Sequence, residues 1–268
     1  GLKPYSKALY HNEQLKSLSR YRFSKVRERA KLKQQLARLV NILFPELEKL
    51  VPTLHISSVY ALLEQFPGAS FVANAHLTKL TNLLTTASKG HYKKEKAIQI
   101  RVLAASSVGC FMPAKSLELK HTITLIRVLS NEIAEIESEI KKLMDESHSP
   151  ITSIPGMSYR MAAMILSEIG DFSNFDSPDK ILAFAGLSPS TYQSGKLDNA
   201  YSHMEKRGSR YLRYALYTAT SYVCVWDKSF AVYLHKKISE GKHYYVAISH
   251  AIKKLVRLIY ALQTSGQQ

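Results

Sequence analysis

The segment PAKSLELKHTITLIRVLSNEIAEIESEIKKLMDE, residues 113–146, carries a regular apolar pattern that predicts one long α-helix. Its apolar residues recur at alternating three- and four-residue steps, the spacing of the a and d positions of a coiled coil. They are Leu119, Ile126, Leu129, Ile133, Ile136, Ile140 and Leu143. The helix is therefore predicted to pair with another long helix. The partner is either the basic helix near the N-terminus or a second copy of itself, which would make the protein a homo-oligomer.

The rest of the chain is also predicted to be helical. Residues 12–50 show apolar residues at helical spacing, and residues 53–112 divide into three short helices at Pro67-Gly68 and Lys89-Gly90. A total of 11 Gly and 9 Pro is too few for a sandwich with many tight turns. The sequence thus predicts an all-α fold in three parts. These are a basic helix with a helical bundle (1–112), a coiled-coil helix with a polar linker (113–148) and a C-terminal helical domain (149–268).

The charge balance indicates a polyanionic partner. The chain holds 37 Lys and Arg against 21 Asp and Glu, a formal net charge of +16. The excess lies at the two ends, with 12 basic and 4 acidic residues in 1–50 and 14 and 8 in 149–268. Four arginines of the N-terminal helix are predicted to contact nucleic acid: Arg20, Arg22, Arg27 and Arg29. The alternative is that they only keep a helix face hydrated.

Membrane insertion and secretion are not expected. The sequence contains no run of about 18 apolar residues and does not open with a signal peptide. Its two cysteines, Cys110 and Cys224, stand beside apolar residues and are predicted to be buried thiols in a reducing compartment. A cytoplasmic protein associated with the nucleoid is expected.

Residues 151–170 predict two helices joined by a tight turn at Pro155-Gly156. This arrangement resembles a helix-hairpin-helix, in which turn amides and the positive end of the second helix receive a backbone phosphate. Gly156 and Ser158 are the candidate phosphate-binding residues, and Ser158 stands where the familiar hairpin has a second glycine. An ordinary helical hairpin is the alternative.

Residues 190–200 form a polar stretch with few helix-forming residues, and it contains Ser194-Gly195-Lys196. A basic helix is predicted to begin at about Lys206, which would place Lys206, Arg210 and Arg213 on one face. A small hydroxyl beside cationic groups and backbone amides is suited to attack on a phosphodiester. A general base is not evident; His203 and Asp198 are the nearest candidates. By itself, a Ser-Gly pair in a polar loop is far more often a turn.

Six short motifs occur in one order across residues 151–262. They are Ile154-Pro-Gly-Met, Ile169-Gly-Asp171, Phe184-Ala-Gly-Leu-Ser-Pro189, Ser194-Gly195, Lys206-Arg-Gly208 and Tyr211-Leu-Arg213. Together they resemble the C-terminal domain of the Piv-type DNA invertases and bridge-RNA-guided insertion-sequence transposases of bacteria. That family also has a basic helix and a coiled coil before this domain. The resemblance implies that residues 149–268 are a helical transposase domain.

By this resemblance, Ser194 matches the serine that attacks DNA and forms a covalent phosphoserine link. Gly195, Lys196, Lys206, Arg207, Arg210 and Arg213 are the predicted nucleic-acid contacts around it. The partners implied are DNA and a structured guide RNA. The family's RuvC-like domain supplies four carboxylates that bind divalent metal, with Mg²⁺ expected, and we expect it to lie upstream of Gly1. No metal ligand or cofactor is therefore assigned to this chain, which is expected to be inactive alone.

Two other functions fit the same sequence. The chain could be a binding module that grips nucleic acid through the hairpin near Gly156 and its basic helices, without chemistry. It could also be a coiled-coil assembly protein whose charge only maintains solubility. Strand breakage distinguishes the first alternative from a recombinase, and an oligomer that nuclease treatment leaves unchanged would identify the second.

Overall fold

A computed structural model describes residues 7–188, 193–194, 197–198, 204 and 206–265. The described residues form twelve α-helices and one pair of two-residue strands, so the predicted all-α fold is confirmed. The helices up to the middle of the chain are α1 (Lys7–Leu43), α2 (Leu47–Leu50), α3 (Ser57–Gln65), α4 (Ala69–Ala73), α5 (Leu77–Ala87), α6 (Lys94–Ala105) and α7 (Pro113–Ser147). Those that follow are α8 (Tyr159–Ile169), α9 (Pro178–Phe184), α10 (Arg210–Trp226), α11 (Lys228–Ser239) and α12 (Tyr244–Thr264). The strands are β1 (Gln193–Ser194) and β2 (Leu197–Asp198).

By their internal contacts, the residues divide into two compact units. One unit, called here the C-terminal unit, comprises the chain up to Phe23 together with the chain from Glu135 onward. The other, the middle unit, comprises Ser24–Ala134. Helices α1 and α7 each contribute to both units. The boundary at 148 and 149, which the sequence predicts for the transposase domain, remains a prediction.

The middle unit is a helical bundle around its own apolar core. Helices α2 to α6 pack with the later part of α1 and the earlier part of α7. Polar contacts between α1 and α7 include Lys25 Nζ with Glu132 Oε2 at 2.9 Å and Gln35 Nε2 donating to Glu118 Oε1 at 3.0 Å. The basic N-terminal helix is thus a partner of the long helix α7 within this unit.

The C-terminal unit is built around α8, α10 and α12. Helix α8 packs against α10. Its small residues Ala162 and Ala163 are fully buried in the core and allow close packing. Leu216 of α10 and Leu255 of α12 are likewise fully buried in the same core. Each such buried leucine stabilises the unit by roughly 1.5–3 kcal/mol relative to an exposed one. The end of α9 and the start of α10, which border the candidate site in the sequence, pack on this core.

The two cysteines differ in exposure. Cys224 of α10 is buried, as predicted, and burial raises the pKa of its thiol to about 11. The prediction of a buried thiol is wrong for Cys110, which is exposed in the segment before α7. That segment is held by its backbone, with Cys110 N–H donating to Ile42 O at 2.9 Å, and not by burial of the thiol. Within the described ranges, no helix has both the length and the apolar character needed to cross a bilayer.

Candidate functional site

Ser194 is the second residue of β1, which pairs antiparallel with β2. In this register Ser194 lies opposite Leu197, and Gln193 lies opposite Asp198. The backbone of the predicted nucleophile is therefore part of a short ladder. Gly195 and Lys196, two predicted nucleic-acid contacts, lie outside the described residues, as does His203.

The helix that follows this segment begins later than the sequence predicts. Helix α10 begins at Arg210, and the Ser209 hydroxyl caps it by accepting from Leu212 N–H at 3.1 Å. Lys206 has a φ of 52° and Gly208 one of 108°, both incompatible with a right-handed helix. Lys206 therefore does not share a helix face with Arg210, and the prediction of a helix from about Lys206 is wrong.

Glu168 on α8 holds the start of α10 in place. Its side chain is 2% exposed, and it accepts hydrogen bonds from Arg20 Nε at 2.6 Å and Arg20 Nη2 at 3.0 Å. The Ser209 hydroxyl donates to the same carboxylate at 2.7 Å. Burial raises the pKa of Glu168, but the hydrogen bonds from Arg20 and Ser209 and the charges of Arg20 and Lys16 outweigh it, so the pKa is lowered. A buried anion thus joins α1, α8 and the cap of α10.

Two glycines let the end of α9 cross the segment before α10. Gly186 (φ 67°) ends α9 in a Schellman motif, with its N–H donating to Ala183 O and Leu187 N–H to Leu182 O, both at 2.9 Å. A Cβ on Gly186 would clash with the carbonyl oxygen of Arg207, and one on Gly208 with that of Phe184. The two backbone segments therefore touch where only glycine fits.

Arg213 stabilises the contact between the end of α9 and the segment before α10. Its Nη1 donates to Ala185 O at 2.9 Å and to Lys206 O at 3.2 Å, so one guanidinium bridges the two segments. The side chain is half-buried. The structure therefore gives this predicted nucleic-acid contact a role in holding the loop.

Arg213→Gln is expected to lower the free energy of unfolding by about 1–2 kcal/mol, because two charge-assisted hydrogen bonds to backbone carbonyls are removed. Denaturation followed by the fluorescence of Trp226, the only tryptophan, measures this in the C-terminal unit. Arg207→Gln, at an exposed neighbour, is the matched control and should change stability by less than about 0.5 kcal/mol. Equal stability of the two variants would contradict the bridging role.

Tyr211 lies between two arginines. The guanidinium carbons of Arg20 and Arg210 are each 4.8 Å from the centroid of its ring, and Arg210 Nη2 donates to its hydroxyl at 2.8 Å. Phe23 packs edge-on against the same ring. Because Arg210 stays exposed, as do Lys206 and Arg207, three cations line the approach to the start of α10. Such a grouping attracts phosphate.

The predicted arginines of α1 fall in two different compact units. Arg20 and Arg22 belong to the C-terminal unit, and Arg27 and Arg29 to the middle unit. Arg22 Nε contacts Glu137 Oε1 at 2.6 Å and is largely buried. Arg29 Nη1 donates to Ser130 Oγ at 3.2 Å, and Arg27 is exposed. Arg20, Arg22 and Arg29 thus have contacts within the protein. Binding of nucleic acid by any of the four arginines remains a prediction.

The hairpin residues also have contacts within the protein. Gly156 (φ 86°) packs against α10, where a Cβ would come within 2.8 Å of Tyr222 O. The Ser158 hydroxyl caps α8 by accepting from Met161 N–H at 3.4 Å. The glycine of this turn is therefore required by close packing, and phosphate binding there remains a prediction.

Sequence reasoning missed Glu168 and Ser209. Glu168 could have been noticed, because it is a single carboxylate among the apolar residues of α8, and buried carboxylates are paired. Ser209 carries the local signal of a serine that precedes a helix, which predicts the cap but not the bond to Glu168. As for metals, the described residues contain no cluster of three or more His, Cys, Asp or Glu side chains.

Residues 148–235 match the model described as the Transposase IS116/IS110/IS902 family. This match spans Ser194 and the start of α10, and it confirms the predicted resemblance to insertion-sequence transposases for this part of the chain.

Three similar proteins support the same resemblance to insertion-sequence transposases and DNA invertases. The chain is 22% identical over 256 residues to the IS116 insertion-element protein of Streptomyces clavuligerus, covering 92% of this chain and 63% of that protein. It is 28% identical over 134 residues to the IS110 insertion-element protein of Streptomyces coelicolor, covering 49% and 33%. It is 27% identical over 144 residues to the pilin gene-inverting protein of Moraxella bovis, covering 51% and 45%. The chain thus spans less than two thirds of each of these relatives.

Proposed function

We propose that this chain is part of a DNA transposase or invertase and that Ser194 is its nucleophile. The observation that carries the proposal is the family match over residues 148–235, which includes Ser194 and the glycine crossing at Gly186 and Gly208. The names of the relatives, insertion-element proteins and a pilin gene inverter, support DNA as the substrate. A guide RNA and a homo-oligomer, implied by the resemblance, are further parts of the proposal.

In the proposed step, Ser194 Oγ bonds to a DNA phosphorus as the bond from phosphorus to the leaving strand's bridging oxygen breaks. The proton of the serine passes to a base, for which Asp198 and His203 are the candidates, and the leaving oxygen is protonated. The reaction is a transesterification and involves no oxidant or reductant. Lys206, Arg207 and Arg210 would stabilise the charge that develops on the phosphoryl oxygens.

The hydrogen bonds of Ser209 hold the start of α10 in place, next to two of the cations proposed to act with Ser194. Ser209 precedes α10 and is bonded to the buried Glu168, and the exposed Arg207 and Arg210 flank it. The segment that carries Ser194 lies between α9 and α10. The described residues at its two ends, Gly186 and Lys206 to Gly208, meet at the glycine crossing.

Ser194→Ala is expected to abolish covalent attachment of DNA while leaving nucleic-acid binding unchanged. The assay joins the chain to the carboxylate domain that the resemblance predicts, supplies Mg²⁺, and uses a DNA strand whose short leaving fragment dissociates after cleavage, so that the adduct cannot revert. Denaturing gels measure the adduct, and mass spectrometry of the digested adduct assigns the modified serine.

Ser190→Ala, in the same polar segment, is the matched control and should retain the adduct. An adduct that persists in Ser194→Ala, or that disappears equally in both variants, would overturn the assignment of the nucleophile. Binding without any adduct in the unmodified protein would instead favour the non-catalytic binding module.

A further inference from the structure

Helices α11 and α12 enclose a basic pocket distant in sequence from Ser194. The pocket has a volume of about 370 Å³ and is lined by Tyr233, His250, Lys253, Lys254 and Arg257. The last four residues stand at positions i, i+3, i+4 and i+7 of α12 and therefore share one helix face. Lys253 and Lys254 are half-buried, and Arg257 is exposed.

Two carboxylates that interact electrostatically with residues of this pocket, Asp227 with Lys254 and Glu240 with His250, also have other partners. Asp227 caps α11, accepting from Ser229 N–H at 2.8 Å and Phe230 N–H at 3.1 Å. Glu240 pairs with Lys237 at 2.9 Å. Among the described residues that line the pocket there is no acidic side chain.

The cations of the pocket differ in how they are held. Lys254 Nζ lies 4.5 Å from the centroid of the Phe230 ring and donates to Ser229 O at 3.3 Å, so it has a structural role. Within the described part of the chain, Lys253 and Arg257 form no ion pair. Like charges three to four residues apart on a helix repel each other, and a bound anion would relieve that repulsion.

His250 adds a neutral donor to the pocket. Burial lowers its pKa, and the positive charges of Lys242, Lys237 and Lys253 lower it further, against the opposing effect of Glu240. At neutral pH the ring is therefore uncharged and can donate one N–H. Ammonium, guanidinium and imidazole groups around one cavity beside the ring of Tyr233 match the oxygens of a phosphodiester and its neighbouring sugar or base.

We propose that this pocket binds a backbone phosphate of a nucleic-acid strand, with Lys253 and Arg257 as the principal contacts. The proposal does not require the chemistry proposed for Ser194. Because the ligand is the phosphodiester group that DNA and RNA share, the test compares both.

The experiment measures fluorescence anisotropy of a labelled 20-nucleotide DNA strand, the RNA of the same sequence and the DNA duplex, titrated with the full chain at several KCl concentrations. The Lys253→Gln/Arg257→Gln variant is expected to bind at least one of these probes roughly 5–10-fold more weakly. The slope of log K against log salt should become shallower by about 0.7–0.9 for each phosphate that the variant no longer neutralises. Which probe is affected identifies the strand that occupies the pocket.

The matched control is Lys141→Gln/Lys180→Gln, which removes the same charge from exposed positions on α7 and α9. Equal weakening in both double variants would show a non-specific charge effect and overturn the proposal. Inorganic phosphate is titrated as a further probe. The proposal would also be overturned if the Lys253→Gln/Arg257→Gln variant lost binding of inorganic phosphate but bound all three oligonucleotides as the unmodified chain does. The Ser194→Ala protein should bind like the unmodified chain, so that failure of this proposal and failure of the proposed chemistry are distinguishable.

Discussion

Gly186→Ala is expected to lower the free energy of unfolding of the C-terminal unit by about 3 kcal/mol, one of the two largest effects predicted for this protein. Gly186 is buried with a φ of 67°, a conformation that costs a residue with a Cβ about 1–2 kcal/mol. The added methyl group would also lie 2.8 Å from Arg213 Nη1 and 2.9 Å from the carbonyl carbon of Lys206, besides clashing with Arg207 O. The crossing before α10 would have to open.

Gly241→Ala provides the matched control for this substitution. Gly241 has a similar φ of 80°, but a Cβ there would meet no atom within 4 Å. It should therefore cost only the backbone strain, about 1 kcal/mol. Denaturation followed by Trp226 fluorescence and by circular dichroism gives both values. If the two alanine variants were equally stable, the close approach of the two segments would not be a feature of the protein.

Arg20→Ala is expected to destabilise the C-terminal unit by about 3–5 kcal/mol, because it leaves the buried carboxylate of Glu168 without its charged partner. Glu168→Gln should cost less, about 2 kcal/mol, since Arg20 is 43% exposed and water can solvate its charge. The double variant Arg20→Ala/Glu168→Gln should be more stable than Arg20→Ala alone. Urea denaturation of the four proteins completes the cycle.

The pH dependence of these proteins follows from the lowered pKa of Glu168. In the unmodified protein the ionised carboxylate stabilises the fold above the unfolded pKa of about 4.3, and this contribution is lost as the pH falls through the lower folded value. In Arg20→Ala, burial of Glu168 is no longer offset by Arg20, so its pKa rises. The destabilisation should be greatest at neutral pH and shrink towards pH 4. A loss of stability that does not change with pH would contradict the pairing with Glu168.

The candidate site could be predicted only in part from the sequence. The family motifs identified the segment from Gly186 to Arg213, and the match over residues 148–235 agrees with them. The position of the basic side chains was less predictable. Helical spacing placed Lys206 with Arg210 and Arg213, but left-handed backbone at Lys206 and Gly208 breaks that face. The close approach that requires this backbone joins segments about twenty residues apart, and spacing within one segment does not contain it.

Arg20 also shows that contacts between distant segments decide the role of a basic residue. A dense run of arginines predicts phosphate contacts, and the formal charge is a property of the sequence alone. Whether a given arginine binds a ligand or an internal carboxylate depends on which acid the fold brings to it. For Arg20 that acid is Glu168, 148 residues further along the chain.

The sequence by itself determined the helical class, the long helix α7 and the order of motifs, because apolar periodicity and glycine or serine at helix ends act locally. The tertiary structure decided which charges are used inside the protein and which remain for a ligand. Glu168 and Arg213 hold the start of α10, while Lys206, Arg207, Arg210, Lys253 and Arg257 stay exposed or at the edge of a pocket. That division depends on burial and on pairing between distant segments, which exist only after the core has formed.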